Sequence, residues 1–274
     1  MKETDNLLRE NSHDRDISEI VATITALDHP SPSLLRFTAF VPGSANNPVW
    51  AEANVAIRLY LSEEFDDATR VYTVRSFDAA TESIVVDVVQ HHHESPMMRW
   101  SDTVKINDTL VLTGPRPHFV IPEGEQAALF LDDTAIPALA AILDQWPTGL
   151  RGKGWVVTDD PAAFDELPSI DGLELNLLAP GSDPTVQPLV QQAYDLENPE
   201  TYVVWAAGER YEMKSIRRHF RKQVGLEKDA VAVFGYWKYN TTNTQIDAVR
   251  KENYMKMLSE GLQLENFDDL SLEI

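Results

Sequence analysis

The chain has 274 residues, of which 43% are hydrophobic and 24% charged, so it can bury the core of one large or two medium-sized domains. Its formal net charge of -21 argues against nucleic acid or an anionic membrane as the main partner, because phosphate groups would be repelled. It contains no cysteine, which excludes disulfides, thiolate metal sites and cysteine nucleophiles.

The N-terminal residues 1–17 are polar and crowded with charge, and we expect them to form a polar tail. They lack the apolar segment of a signal peptide. The longest apolar run, residues 135–143, is too short to span a bilayer and is interrupted by Pro137. These features predict a soluble, cytoplasmic protein without a membrane or nucleic-acid partner, and we expect it to be a monomer.

Residues 18–123 are predicted to form an antiparallel β-barrel. Short runs of apolar and β-branched residues alternate there with turn-forming stretches such as His29-Pro30-Ser31-Pro32 and Pro42-Gly43-Ser44. Six strands are predicted, at residues 20–27, 34–41, 55–61, 71–77, 83–89 and 109–113. One short helix is predicted at residues 96–103. Many short strands separated in this way are typical of a barrel or a sandwich.

The pattern changes after Pro122-Glu123-Gly124, where fully apolar runs begin to alternate with amphipathic ones. Strands are predicted at residues 127–131, 154–158, 173–177, 202–206 and 230–234, and helices at residues 136–145, 188–194 and 211–222. Buried strands that alternate with helices indicate a parallel α/β sheet. We assign residues 124–245 to a Rossmann-like α/β domain, and residues 246–274 to a last helix and an acidic tail.

Arg70, Tyr72 and Thr73 lie close together on one predicted strand. A guanidinium can pair with a pyrophosphate, a phenol ring can lie on an isoalloxazine face, and a hydroxyl can bond the polar edge of that ring. The three residues therefore indicate a flavin site. An amphipathic strand with an ordinary surface arginine would explain the same pattern.

His91, His92 and His93 precede the predicted helix that begins at Pro96. Adjacent residues of an extended chain point to different sides, so the three imidazoles do not favour a metal site. The backbone amides at the start of the helix would instead face an anion, since the positive end of a helix favours a pyrophosphate.

Several different short motifs follow one another along residues 18–240. They are Arg70-x-Tyr72-Thr73, Asp87-Val88-Val89-Gln90-His91, Ser95-Pro96-Met97-Met98-Arg99-Trp100, Gly114-Pro115-Arg116, Leu131-Asp132-Asp133-Thr134-Ala135, Trp205-Ala206-Ala207-Gly208-Glu209 and Gly235-Tyr236-Trp237-Lys238. Together they resemble the siderophore-interacting proteins, FAD-dependent ferric-siderophore reductases of the ferredoxin-reductase-like superfamily. Met97 and Met98 stand where that family usually has Ala-Ser, so a hydroxyl contact to the flavin phosphate is missing.

The resemblance implies a six-stranded flavin-binding barrel followed by an NAD(P)-binding domain. The residues that it implies for FAD are Arg70, Tyr72, Thr73, Val74, His91, Pro96, Met97, Met98, Trp100, Thr134, Ala135 and Trp237. Those implied for the nicotinamide nucleotide are Thr134, Gly208, Glu209, Arg218 and Tyr236. Asp132-Asp133-Thr134 could instead simply cap a helix. Tyr236 and Trp237 could instead be core aromatic residues.

Two signals conflict about the nucleotide. A basic helix with Lys214, Arg217, Arg218, Arg221 and Lys222 would suit the 2′-phosphate of NADPH, unless it is only a solvated helix face. Asp159 and Asp160 follow the second α/β strand, where acids favour NADH. The sequence therefore leaves NADPH or NADH open as the electron donor.

Lys238, Arg58, Arg250 and Lys251 are candidates for binding an anionic ferric chelate, although each could be a surface charge. The resemblance implies electron transfer from NAD(P)H through FAD to Fe(III) in a catecholate or hydroxamate siderophore. No catalytic acid, base or resident metal is needed, because the flavin carries the redox chemistry. A ferredoxin-fed or general flavin reductase, and a non-catalytic ferric-chelate-binding protein, are the alternatives.

Overall fold

The computed structural model describes residues 19–91, 94–181, 186–260 and 270. The predicted polar tail, His92 and His93, and the acidic tail apart from Leu270 lie outside the described residues, as does the side chain of Lys251. No helix in the described ranges is long and apolar enough to cross a membrane.

The first half of the chain forms a closed antiparallel barrel, with strand order β1-β2-β5-β4-β3-β6. Its strands are Glu19–Ser31 (β1), Leu34–Phe40 (β2), Val55–Tyr60 (β3), Thr69–Asp78 (β4), Ser83–Val89 (β5) and Thr109–Pro117 (β6). Helix α1, Pro96–Thr103, lies between β5 and β6. Alternate side chains of the strands fill one hydrophobic core, which α1 closes with Met97, Met98 and Trp100.

The second half forms a parallel sheet with strand order β11-β10-β7-β8-β9. Its strands are Gln126–Asp132 (β7), Arg151–Val157 (β8), Leu173–Leu178 (β9), Val203–Glu209 (β10) and Val231–Trp237 (β11). The helices are Ile136–Leu143 (α2), Pro161–Asp165 (α3), Pro188–Asp195 (α4), Arg210–Arg218 (α5) and Asn243–Ser259 (α6). Separate hydrophobic clusters cover the two faces of the sheet. The predicted barrel and parallel α/β sheet are both confirmed.

Several boundaries differ from those predicted, each for a local reason. Strand β1 runs on to Ser31 through a register shift after Asp28, so Pro30 lies in the strand instead of a turn. Strand β8 begins at Arg151 because residues 151–153 already pair with β7, and Gly152 permits this, since a Cβ there would lie 2.6 Å from the carbonyl oxygen of Ala127. Helix α3 was not predicted, and Asp160 caps it by accepting bonds from the N–H groups of Ala162 and Ala163.

Helix α2 joins the two halves of the molecule. All of its side chains are buried, and it packs against β4 of the barrel. Leu34 of β2 belongs to the same hydrophobic cluster as α2. The packing therefore joins β4, the strand with Arg70, Tyr72 and Thr73, to the helix that follows Thr134 and Ala135.

Polar contacts join the barrel to the segment after β8. The backbone N–H of Ser33 donates to Asp160 at 2.8 Å. Arg36, Arg75, Asp87 and Glu166 form a connected group, which we call the interdomain latch, in which both arginines contact both acids. Because three members are on barrel strands and Glu166 follows α3, the latch fixes the relative position of the two halves.

Candidate functional site

Strand β4 presents the predicted flavin residues at one end of the barrel. Its ladder with β5 begins at Val74, whereas its ladder with β3 continues to Thr69, so residues 70–73 extend beyond β5. Arg70 and Tyr72 point to one face of the strand and Thr73 to the other. The guanidinium of Arg70 donates to the carbonyl of Thr69 at 2.7 Å. Burial raises the pKa of Tyr72, so its phenol is neutral at physiological pH.

The start of α1 offers less to an anion than its sequence suggests. The hydroxyl of Ser95 accepts a hydrogen bond from the N–H of Met98 at 3.3 Å, and Pro96 has no N–H to donate. The N–H of Met97 is then the one in this turn that the cap does not use, and it stays the best candidate for a phosphate contact. His91 is exposed just before this turn, where its N–H faces the sulfur of Met98.

Met97, Met98 and Trp100 turn their side chains into the barrel core. The ring of Trp100 packs edge-on against Phe37, with 5.7 Å between the centroids. Any contribution of these three residues to a bound flavin would therefore come through the backbone or through packing beneath it. Val74 is likewise a buried core residue, although it lies next to Thr73 on β4.

Asp132 is the centre of the opposite wall of the site, at the end of β7. One carboxylate oxygen accepts bonds from the N–H and the hydroxyl of Thr134. The other accepts from the N–H of Glu209 at 2.8 Å and from the indole N–H of Trp237 at 2.7 Å. The carboxylate thus joins the ends of β7, β10 and β11 at the carboxyl edge of the sheet, which is the usual ligand site in such folds.

The loop after β10 is shaped by the same carboxylate. A Cβ on Gly208 would lie 2.5 Å from an oxygen of Asp132, so the glycine makes room for this close approach. Glu209 caps α5 by accepting bonds from the N–H groups of Tyr211 and Glu212. A carboxylate therefore already neutralises the positive end of α5. That Gly208 and Glu209 contact a nucleotide remains a prediction.

Buried acids cluster at this edge of the sheet, where burial disfavours their charged forms. Burial raises the pKa of Asp132, and burial together with the charge of Asp132 raises the pKa of Asp133 to about 7. Burial also raises the pKa of Glu212 to about 7, against hydrogen bonds from the N–H groups of Leu189 and Val190. Tyr236 packs against the α2 side of the sheet, so core packing accounts for its ring.

Exposed aromatic and basic groups stand at the side of this edge. The ammonium of Lys238 lies 4.8 Å from the ring centroid of Tyr211, which is 53% exposed. Tyr239 is 48% exposed, and its N–H contacts the carboxylate of Glu209 at 3.3 Å. Lys214, Arg218 and Lys222 continue from Tyr211 along the exposed face of α5 and the turn that follows it. We call Tyr211, Lys214, Arg218 and Lys222 the basic stripe.

The other predicted cationic residues are dispersed. Arg58 is on β3 opposite Val71 and contacts the hydroxyl of Thr69 at 3.3 Å, on the outer wall of the barrel. Arg250 lies on α6 and is half-buried. The structure therefore brings Lys238 to the site edge with Trp237, and places the other two on different elements.

Sequence reasoning missed the structural roles of Asp132 and Asp160. The capping interpretation of Asp132 is confirmed for Thr134, but its bonds to β10 and β11 depend on tertiary structure. Asp160 seemed suited to a ribose, yet its two oxygens are engaged by Ser33 and by the N-terminus of α3. Of the two acids after β8, only Asp159 is exposed to a ligand.

Comparisons with known proteins identify the family of this chain. The family model described as siderophore-interacting protein matches residues 124–240, and the model described as siderophore-interacting FAD-binding domain matches residues 36–119. Ferric acinetobactin reductase of Acinetobacter baumannii is 31% identical over 276 residues, which cover 99% of this chain and 96% of that protein. The NADPH-dependent ferric-chelate reductase of Escherichia coli is 25% identical over 142 residues, covering 50% of this chain and 54% of that protein.

A solved structure shows the same architecture. The siderophore-interacting protein from Acinetobacter baumannii superposes with a TM-score of 0.83 and 31% identity, covering 89% of this chain and 99% of that chain. Identity at this level over nearly the full length of both chains, with matches to both domain models, shows common descent. The chain therefore belongs to the siderophore-interacting protein family.

Proposed function

We propose that this protein is an FAD-dependent reductase that passes electrons from NADPH to Fe(III) held in a siderophore. The observation that supports this most is the packing of α2 on β4. It joins β4, which carries Arg70, Tyr72 and Thr73, to the α/β domain, at whose carboxyl sheet edge Thr134 and Trp237 are tied to Asp132. The β4 residues would hold the flavin, and the residues of the sheet edge would hold the nicotinamide nucleotide.

The residues present fit FAD. Arg70 supplies a fixed positive charge for the pyrophosphate, the neutral phenol of Tyr72 supplies a ring face, and Thr73 supplies a hydroxyl. All three lie before Val74, where the ladder with β5 begins. When bound, FAD accepts a hydride from a reduced nicotinamide and releases electrons singly to Fe(III).

The chain's own residues position and insulate this chemistry. The latch of Arg36, Arg75, Asp87 and Glu166 keeps the two walls of the site at a fixed separation. The buried carboxylate of Asp132 holds the hydroxyl of Thr134 and the indole of Trp237.

NADPH is the donor that the charge distribution favours. The basic stripe offers Lys214 and Arg218 to a 2′-phosphate, and the exposed ring of Tyr211 beside them can stack on a base. Asp160 is engaged by the barrel, which leaves Asp159 as the one of the two acids after β8 that is exposed toward the ribose hydroxyls of NADH. We infer a cytoplasmic reaction, since reduced pyridine nucleotide is supplied there.

The iron substrate is an anionic chelate with hard oxygen donors, such as a catecholate or hydroxamate siderophore. Such oxygens hold Fe(III) more tightly than Fe(II), so reduction releases the metal. Lys238, held at the site edge by its contact with Tyr211, is the cation best placed to meet the chelate. An acidic ferredoxin is a less suitable donor, because the chain carries a net charge of -21.

The direct test is NADPH-dependent release of Fe(II) from a ferric catecholate, detected with a ferrous-specific chelator. We expect FAD-loaded protein to release iron catalytically with NADPH, and less well with NADH. Flavin reduction without iron release would favour a general flavin reductase. Chelate binding by protein that never takes up FAD would favour a non-catalytic binding protein.

A further inference from the structure

The carboxylate of Asp132 accepts more hydrogen bonds than a residue at the end of a strand needs. Its residue is 7% exposed, and its two oxygens accept bonds from four groups on three separate segments. A helix cap alone would need only the bond from the N–H of Thr134. The bond to the indole of Trp237 links residues 105 positions apart, so it exists only in the folded sheet.

Trp237 depends on this bond for its orientation. The indole is half-buried at the end of β11, which is an edge strand of the sheet. Its N–H forms no other hydrogen bond with the described residues. Apolar packing restrains a ring but leaves it free to slide, whereas one short bond to a buried carboxylate fixes its direction.

The chain is also shaped to let Asp132 reach these partners. Gly208 leaves the space that a Cβ would fill, 2.5 Å from one carboxylate oxygen. At this point the β10–β11 register shifts between Gly208 and Glu209, which turns the N–H of Glu209 toward Asp132. The carboxylate therefore fixes the loop after β10 as well as the indole and the Thr134 hydroxyl.

We propose that Asp132 is a positioning residue, which fixes Trp237 and Thr134 at the sheet edge so that the nicotinamide meets the flavin in a productive geometry. This inference rests on the proposed function. It assigns Asp132 to hydride transfer and not to the later transfer of electrons to Fe(III), since single electrons cross a short gap without such alignment. The two half-reactions should therefore respond differently to its loss.

Asp132→Asn is the sharpest variant. The amide keeps the size of the carboxylate but has only one acceptor oxygen, so it cannot accept from Thr134 and from Glu209 and Trp237 at the same time. Glu212→Gln is the matched control. Glu212 is also a buried acid near this edge, but within the described part of the chain its oxygen contacts only the N–H groups of Leu189 and Val190 at the start of α4.

The half-reactions are measured separately by anaerobic stopped flow on FAD-loaded protein. We expect Asp132→Asn to slow flavin reduction by NADPH roughly 10- to 100-fold, as misplacement of reacting groups by about 1 Å does. Reoxidation of dithionite-reduced protein by a ferric catecholate should stay within about twofold of the parent rate, as misalignment does not affect it. Equal slowing of both half-reactions, or the same slowing in Glu212→Gln, would contradict the proposal.

A readout without the cofactor tests the geometry alone. In apoprotein, acrylamide should quench Trp237 more strongly in Asp132→Asn than in the parent protein, and the increase should vanish when Trp237→Phe is added. Unchanged quenching would overturn the inference. If Asp132→Asn fails to fold, Trp237→Phe and Thr134→Val replace it, and an unchanged rate of flavin reduction in both would overturn the inference. Failure of the parent protein to reduce a ferric chelate would instead count against the proposed function.

Discussion

Arg75 and Asp87 form an ion pair between neighbouring barrel strands, with 3.0 Å between Nη1 and Oδ2 and the carboxylate side chain fully buried. The same guanidinium donates from Nη2 to the carbonyl of Glu166 in the α/β domain at 3.0 Å. Arg36 holds the other oxygen of Asp87 at 2.6 Å and the carboxylate of Glu166 at 2.9 Å. The buried carboxylate of Asp87 therefore pairs with both arginines that contact the other domain.

Replacement of Asp87 by Asn should be costly, because it leaves two half-buried arginines without their charged partner. We expect the free energy of unfolding to fall by about 3 kcal/mol, the usual scale for breaking a buried ion pair. Urea denaturation measures this. Asp66→Asn is the control, since its 2.7 Å pair with Arg99 is solvent-exposed and should contribute at most ~1 kcal/mol. Equal costs for the two variants would contradict the structural role of the latch.

The pH dependence of stability should reflect Glu212. Burial raises its pKa from 4.5 to about 7, so the folded state holds a proton that the unfolded state releases over that range. Because the unfolded state binds fewer protons there, stability should fall as the pH rises from about 4.5 to about 7. Asp133, whose pKa burial and the charge of Asp132 raise to about 7, should act in the same direction.

Glu212→Gln should remove part of this slope. The amide oxygen can still accept from Leu189 and Val190, but the group no longer ionises. Unfolding free energies measured between pH 4.5 and pH 8 should therefore decline less steeply in the variant, which should be more stable than the parent protein above about pH 7. Identical slopes would show that Glu212 is ionised in the folded protein throughout.

Flavin binding should depend on β4. Arg70→Ala combined with Tyr72→Ala removes the guanidinium for the pyrophosphate and the ring face for the isoalloxazine. We expect this variant to purify without colour and to take up no FAD on reconstitution. Lys105→Ala, at an exposed position between α1 and β6, is the control and should bind FAD normally. Full FAD occupancy in the double variant would refute the assignment of β4.

The basic stripe should discriminate between nucleotides. Lys214→Ala with Arg218→Ala should raise the KM for NADPH roughly tenfold, a loss of about 1.4 kcal/mol of binding, because the 2′-phosphate loses its cations. The KM for NADH should change little, as NADH has no such phosphate. Lys228→Ala removes an exposed positive charge elsewhere and serves as the control. A parallel rise of both KM values would place the stripe outside the nucleotide site.

Much of the fold could be predicted because its signals are local. The unbroken apolar run of β7 and the apolar face of α2 follow from burial on both sides, and the motif order identified the family. The extension of β1 past Pro30 and the start of β8 at Arg151 could not be predicted, because register and close strand contacts decide them. The latch joins Arg36 to Glu166, which are 130 positions apart, and no pattern in the sequence predicts such a distant contact.

The candidate site divides in the same way. Arg70, Tyr72 and Thr73 lie within four consecutive residues of one strand, so their proximity could be predicted from the sequence. The role of Asp132 could not, since its partners Glu209 and Trp237 are 77 and 105 positions away. Gly208 was noticed for the right property, its missing Cβ, but the structure uses that space for a carboxylate of the chain itself.

The visible absorption spectrum of the FAD-loaded protein under anaerobic conditions tests the central claim most directly. NADPH should bleach the flavin band, and a ferric catecholate added afterwards should restore it while Fe(II) appears in equal electron equivalents. A band that NADPH bleaches but the chelate does not restore, or one that ignores both nucleotides, would contradict the account of a nucleotide-driven ferric-siderophore reductase.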